Sequence, residues 1–359
     1  MSKPARALFF ASLTALLAAS SSSVSSSAAP DAASARPQGA TLPLSIMTYN
    51  VMGLPWPVAF GRDEALGRIA DRLAVLRGEA RQPHVVLLQE AFIADPAQFA
   101  RRAGYAHVAA GPDALVRTPI ARTAADADFL RGARWDRGET LSKQLGSGLL
   151  ILSDYPIIGI DRLAYPAFAC AGFDCLANKG ALIAHLRVPG VAAPVAVVNT
   201  HLNARKAAGV PVARSLAAFD RQAQLLSGFV AAHVPRDRMM ILGGDLNIGR
   251  DPRRVEAFFA RWRSAGLGFV AAAMGGGRRA LAGASVVDPA QRRDLSEAVA
   301  RGKDWLFARD GDGAPMRVAR AHVPFGGEAQ ARLSDHVGYA ISYAPAAGQA
   351  VRFADAGGR

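Results

Sequence analysis

Apolar and polar positions along this chain change period several times. A run over 44–51 reads as a first strand, closed by Pro55, Trp56 and Pro57. From Asp63 the spacing shifts: Leu66, Ile69, Leu73 and Leu76 recur every three or four residues and predict a helix. The run 84–88 predicts the next strand and ends in Gln89-Glu90. Strand, helix and strand make a βαβ unit, the arrangement in which ligands collect at the carboxyl ends of the strands. Further strands are expected over 148–153, 180–188 and 195–201, with another ending at Asp245. Two more open at Lys303 and Val337, and helices are expected over 212–234 and 253–262. Periodicity is lost over 104–145, a charged excursion with Arg117, Arg122, Arg131, Arg134 and Trp135, and over the Gly-rich 266–284. Alternating strands and helices predict a layered α/β protein.

The amino-terminal end of the chain differs from this body. Lys3 and Arg6 precede an apolar stretch over 7–19, and Ser27-Ala28-Ala29 is a small-residue cleavage site, so 1–29 reads as a signal peptide. The stretch is too short to span a bilayer, and an uncleaved anchor is the alternative. A secreted or periplasmic location follows. Residues 30–42, rich in Ala, Pro and Gly, read as a flexible lead-in. No linker or composition shift divides 43–359, which is expected to be a single catalytic domain. The formal charge is +13, and loss of Lys3 and Arg6 with the signal leaves +11. Such basicity suits nucleic acid or a phosphate-bearing membrane, or only keeps the surface solvated. In an oxidising compartment Cys170 and Cys175 could close a small loop; two free thiols are the alternative.

The chemistry sits where apolar runs stop. Asn50, Glu90, His201, Asp245, Asn247, Asp304, Asp335 and His336 all fall at strand ends. Each alone has a bland reading: Glu90 as a helix cap, His201 as a hydrogen-bonded structural residue, Asp335-His336 as a turn. In Gly243-Gly244-Asp245-Leu246-Asn247, alternation along an extended strand would point Asp245 and Asn247 the same way, with the glycines leaving room for a ligand. Carboxylates and amides are hard oxygen ligands that suit Mg²⁺ rather than zinc, and two histidines beside acids suit proton transfer. There is no Gly-x-Ser-x-Gly elbow and no Walker loop. Metal-assisted hydrolysis of a phosphate ester is what this inventory can do.

In sequence order, Thr48-Tyr49-Asn50-Val51, Leu88-Gln89-Glu90, Asn199-Thr200-His201-Leu202, Gly244-Asp245-Leu246-Asn247, Asp304-Trp305 and Ser334-Asp335-His336 resemble the endonuclease/exonuclease/phosphatase superfamily. With Asn178-Lys179-Gly180, the chain is most similar within it to the secreted bacterial sphingomyelinases, enzymes of phospholipase C type. The resemblance implies a four-layer sandwich of two packed mixed β-sheets flanked by helices. It also implies roles. Glu90, helped by Asn50, would hold Mg²⁺, with Mn²⁺ or Co²⁺ as alternatives; Asp335 would lie near the metal or fix its turn. His336 would be the base, oriented by Asp304; Asp245 would position water; His201, Asn247, Lys179 and Asn50 would contact the phosphate. The implied partner is a phospholipid at a membrane surface, with nucleic acid as the alternative substrate and a monomer as the expected state. Between Asp304 and Asp335 the aromatic hairpin by which some of those enzymes enter membranes is missing; Trp56, Phe60 and Phe325 are the nearest substitutes.

Overall fold

The computed structural model describes residues 44–344, apart from 56–57, 270, 284, 287 and 329–330. The expected signal peptide, the lead-in and Trp56 lie outside the described residues. Among the described residues, eleven strands form two mixed sheets. The first, in the order β10-β11-β1-β2-β4-β3, contains β1 (Leu44–Asn50), β2 (Val85–Gln89), β3 (His107–Ala110), β4 (Leu150–Ser153), β10 (Arg317–Phe325) and β11 (Gly338–Ala344). The second runs β5-β6-β7-β8-β9, with β5 (Ile157–Ala164), β6 (Gly180–Leu186), β7 (Val195–His201), β8 (Met240–Asp245) and β9 (Asp304–Arg309).

Three apolar layers hold the sheets and helices together. Between the sheets, Ile46, Leu87, Val197, Ile241 and Leu306 interdigitate. On the outer face of the first sheet, Met47, Tyr49, Val86 and Leu88 pack against α1 (Arg62–Gly78) and α2 (Pro96–Arg102). On the outer face of the second, Val198, Leu242 and Phe307 meet α4 (Val212–His233) and α5 (Pro252–Ser264). Two sheets flanked by helices are the architecture the resemblance implied. Strand alternation then fixes where the chemistry goes. Following the inter-sheet rows outward, Ile46 leads to Asn50, Leu87 to Gln89, Val197 to Asn199 and His201, Ile241 to Asp245, and Leu306 to Asp304. The site residues are therefore the last polar rungs of the central core.

The parallel β1–β2 pair, joined by α1, is the βαβ unit expected from the period change. Several elements escaped the apolar pattern. The 104–145 excursion contains β3, a four-residue edge strand, and α3 (Ala124–Arg131), a polar helix held by a Thr123/Asp126 capping box. The Gly-rich stretch contains α6 (Gly276–Ala282), whose glycines allow close approach to the first sheet: a Cβ on Gly276 would come 2.3 Å from Tyr343 Oη. Strands β5 and β10 sit at sheet edges; β5 exposes Ile158, Ile160 and Arg162, and β10 exposes Arg317 and Arg320, so neither shows a continuous buried apolar run. Helix α7 (Pro289–Arg301) is largely polar, but Asp288 caps it and Pro289 opens it, as Asp95-Pro96 and Asp251-Pro252 do for α2 and α5.

Candidate active site

The residues predicted at strand ends gather at one mouth of the inter-sheet core. Asn50 is the hub: its Nδ2 donates to Glu90 Oε1 at 2.9 Å and to Asp245 Oδ2 at 3.1 Å, while its Oδ1 accepts from Met52 N. Asp245 Oδ2 lies 3.6 Å from His201 Nε2 and 3.7 Å from His336 Nε2. His336 Nδ1 sits against both oxygens of Asp304, at 2.8 and 2.9 Å. Ser334 sets the His336 loop against β1, its hydroxyl donating to Asn50 O and accepting from His336 N.

Two site residues occupy left-handed backbone, Glu90 at φ 54° and Asn247 at φ 47°. Such conformations cost energy for non-glycine residues and concentrate at functional sites. Asn247 consequently does not extend the strand beside Asp245, as alternation predicted: β8 stops at Asp245, whose Oδ1 accepts from Asn247 N. Asn247 Nδ2 turns instead to Leu202 O at 3.0 Å. The glycines before Asp245 leave no room for a ligand either. A Cβ on Gly243 would meet Leu306 and Leu87, and one on Gly244 would lie 2.0 Å from Thr200 O, so both serve sheet packing.

Lys179 is buried. Its Nζ donates to Asp174 Oδ2 at 2.9 Å and Leu202 O at 3.3 Å, and lies 3.0 Å from His201 Nε2. Asp174 is inside the loop closed by the Cys170–Cys175 disulfide, so that bridge fixes the acid that holds the lysine. Asp335 stands apart from this set: its side chain is 57% exposed and lies 3.9 Å from Arg301. Its carbonyl accepts from Arg301 Nη1, which suits a turn-fixing role.

Electrostatics separates the two histidines. Burial alone would lower both. At His336 the charge and hydrogen bond of Asp304, with Asp245 behind, outweigh it and raise the pKa to about 9. At His201 burial and the Lys179 charge prevail, and its pKa falls to about 3. His201 is therefore neutral, accepts from Lys179 at Nε2, and keeps its proton on Nδ1. Burial would also raise Asp245, but the positive charges of His336, Lys303 and Lys179 hold it low. Glu90 is the opposite case: burial pushes it up against the Asn50 hydrogen bond and the Lys179 charge, with Asp245 adding to the rise.

Glu90 thus meets a neutral amide where a cation would satisfy it. The oxygens of Glu90 and Asp245 converge on that one amide, a donor set of the hard kind that Mg²⁺ takes. Asp245, Asp304 and His336 also offer ligand atoms within 4.8 Å of one another, but His336 Nδ1 is committed to Asp304. The oxygen set around Glu90 fits a divalent cation better.

Sequence reading missed the residues that brace this mouth. Asn199 Oδ1 accepts from Gln89 Nε2, and its Nδ2 donates to Leu88 O and Leu150 O, pinning one sheet to the other. Arg254, 1% exposed, lies over the Phe219 ring and donates to the carbonyls of Asn203, Asn247, Ala204 and Ser215. The signal for Asn199 was its place two residues before His201 on one strand face. Arg254 left none, because its partners are backbone atoms.

Two packed mixed sheets with acids, amides and histidines at one mouth define a phosphoesterase of the layered α/β class. A profile described as Endonuclease/Exonuclease/phosphatase family matches residues 47–336, and the chain belongs to that family. No curated protein matches the sequence. Among solved structures, the chain is similar to a mutant of beta toxin from Staphylococcus aureus with bound magnesium ions, at 15% identity and TM-score 0.54, covering 84% of this chain and 99% of that one. It is similar to sphingomyelinase C from Streptomyces griseocarneus at 20% identity and TM-score 0.51, with 84% and 99% covered. An endonuclease/exonuclease/phosphatase from Beutenbergia cavernae is similar at 22% identity and TM-score 0.50, with 84% and 71% covered. At these identities the likeness speaks for the fold.

Proposed function

We propose that this protein is an exported, Mg²⁺-dependent phosphodiesterase that hydrolyses sphingomyelin, or a related phospholipid, to phosphocholine and ceramide. The observation that carries the reading is the meeting of Asn50, Glu90, Asp245, His201 and His336 at one mouth. The signal-like amino terminus supports export, and the chain is taken to act as a monomer at a membrane surface.

Each residue then has a task. His336 Nε2 and Asp245 Oδ2 are too far apart to bond directly and close enough to share one water. Asp245 orients that water toward phosphorus; His336 takes its proton in the molecules whose ring is neutral, a fraction that grows as pH rises toward the ring's pKa of about 9, and Asp304 stabilises the imidazolium that forms. Glu90 with Asn50 would hold a divalent cation, which would supply positive charge beside a phosphate oxygen; Mg²⁺ suits this set, with Mn²⁺ and Co²⁺ as alternatives. On the other flank the second N–H of Asn247 and the Lys179 ammonium donate to the remaining oxygens, with His201 Nε2 accepting from Lys179 to aim it. Lys179 would exchange its contact to His201 for the phosphate, and the ammonium charge favours that exchange.

The direct test is phosphocholine release from sphingomyelin vesicles against nicking of plasmid DNA, each with and without EDTA. Release abolished by EDTA, with the plasmid intact, is the expected result. Plasmid nicking without phosphocholine release would overturn the lipid reading in favour of an exported nuclease, the second reading, which the +13 charge favours. His336→Ala should lower turnover by about two to four decades, the range for loss of general base catalysis.

A further inference from the structure

A second feature opens from the catalytic mouth. Asn247, whose Nδ2 shares Leu202 O with Lys179, also lines a cleft of about 750 Å³ between the loops that follow β7 and β8 and the residue before β9. Its walls bring together Arg205, Lys206, Arg250, Arg253, Arg301 and Lys303. Asp251 is the one acid lining it among the described residues, and Arg205 and Arg253 share it at 3.4 and 2.9 Å. The positions are scattered in sequence, so the concentration of charge appears only on folding.

Phe173, 44% exposed, lies beside the loop that lines the cleft. From Lys206 the chain runs to Ala208, whose carbonyl accepts from Phe173 N, and a Cβ on Gly209 would touch the Phe173 ring. Arg137 lies over that ring, and two residues earlier Trp135 is 78% exposed. Leu141 and Leu115 protrude from the same excursion, the latter beside Val116, whose carbonyl Asn178 binds. Large exposed apolar side chains next to a cationic surface are the combination that holds a protein at a bilayer interface: the apolar groups enter the acyl boundary while the cations meet phosphates. Single-stranded nucleic acid would use the cations and the aromatic rings, but Leu115 and Leu141 offer a base no stacking face.

We propose that this cleft, with Phe173, Trp135 and Leu141, docks the protein on a bilayer through anionic phospholipid headgroups, in place of the missing aromatic hairpin. The proposal deepens the lipid reading given above and rests on it for the substrate, but not for the docking. The surface belongs to loops of the catalytic mouth, so docking would bring a neighbouring substrate lipid to Asn247 and His336.

The test compares full-length protein on vesicles of phosphatidylcholine alone and of phosphatidylcholine with phosphatidylglycerol, by co-sedimentation, alongside turnover of a water-soluble chromogenic phosphodiester. Binding should be at least about tenfold tighter on the anionic vesicles and should weaken with salt. Lys206→Glu with Arg250→Glu should remove that preference, and Trp135→Ala with Leu141→Ala should weaken binding to both vesicles. Neither pair should change turnover of the soluble substrate or the melting temperature. Equal binding to neutral and anionic vesicles, charge-reversed protein that binds as the parent does, or loss of oligonucleotide binding instead of vesicle binding would overturn the proposal. Charge-dependent docking without sphingomyelin hydrolysis would sink the substrate reading and leave the docking standing; hydrolysis indifferent to vesicle charge would do the reverse.

Discussion

His336 and His201 have the same side chain, lie near the same carboxylate, and are driven in opposite directions. His336 faces Asp304 as well as Asp245; His201 faces Lys179. In the metal-free protein, histidine NMR titration should find one ring titrating near 9 and another near 3. Asp304→Asn removes the charge that raises His336 and should bring its pKa down. The raised value also has a sign for stability. The folded pKa of about 9 exceeds the ordinary 6.5, so the stabilisation is complete below about 6.5 and is lost as pH rises through about 9. Melting curves of metal-free protein should therefore fall over that window more steeply than those of Asp304→Asn; equal slopes would refute the coupling. That a histidine and an acid were involved could be read from Ser334-Asp335-His336 and Asp304-Trp305. Spacing along the chain does not say which acid serves the histidine; the family resemblance implied Asp304, and His336 Nδ1 lies against Asp304 from the other sheet, whereas its sequence neighbour Asp335 faces Arg301.

At the scale of elements, long periodic segments declared themselves and short ones did not. Helices α1, α4 and α5 each bury an apolar face, so their pattern is visible; β3, α3, β5 and β10 are edges or polar surface pieces, where propensity and capping outweigh burial. Helix α5 also carries Arg254, which ties its first turn to the loops that follow β7 and β8. Arg254→Met should leave several buried carbonyls without a donor and lower stability by at least about 2 kcal/mol in urea denaturation. Arg254→Lys should restore only part of this, because an ammonium lacks the planar fork. The Cys170–Cys175 loop acts on the other flank. Replacing both cysteines with serine should cost about 2 kcal/mol, the loop-entropy value for so short a ring, and should raise KM because Asp174 no longer anchors Lys179. An unchanged KM would separate the disulfide from the site.

For the whole molecule, the two sheets work as the jaws that bring Glu90 of one within reach of Asp245 of the other, with Asn50 between. A cation that binds there stabilises only the folded state, so Mg²⁺ should raise the melting temperature in a concentration-dependent way, worth about 2.7 kcal/mol at a hundredfold excess over Kd. Glu90→Gln should abolish the shift, with no need to measure turnover; a shift that survives the substitution would place the ion elsewhere, with the Asp245, Asp304 and His336 group the next candidate. Among the described residues no helix is long and apolar enough to cross a membrane.

The sequence by itself determined which residues could do chemistry, because period-two alternation puts a polar residue at the end of an apolar row, and that row already has a side. It determined the βαβ start and the candidate disulfide for the same local reason. Tertiary structure alone decided the burial of Lys179 and the turn of Asp335 toward Arg301, and it put Asp304, which the resemblance had implied for His336, across the sheets from that ring. It also corrected Phe325, offered as a membrane contact and instead buried against Tyr49. It assembled the cationic cleft from positions a hundred residues apart. Pairing, desolvation and charge density depend on distance in space, and spacing along a chain constrains that distance only within one element.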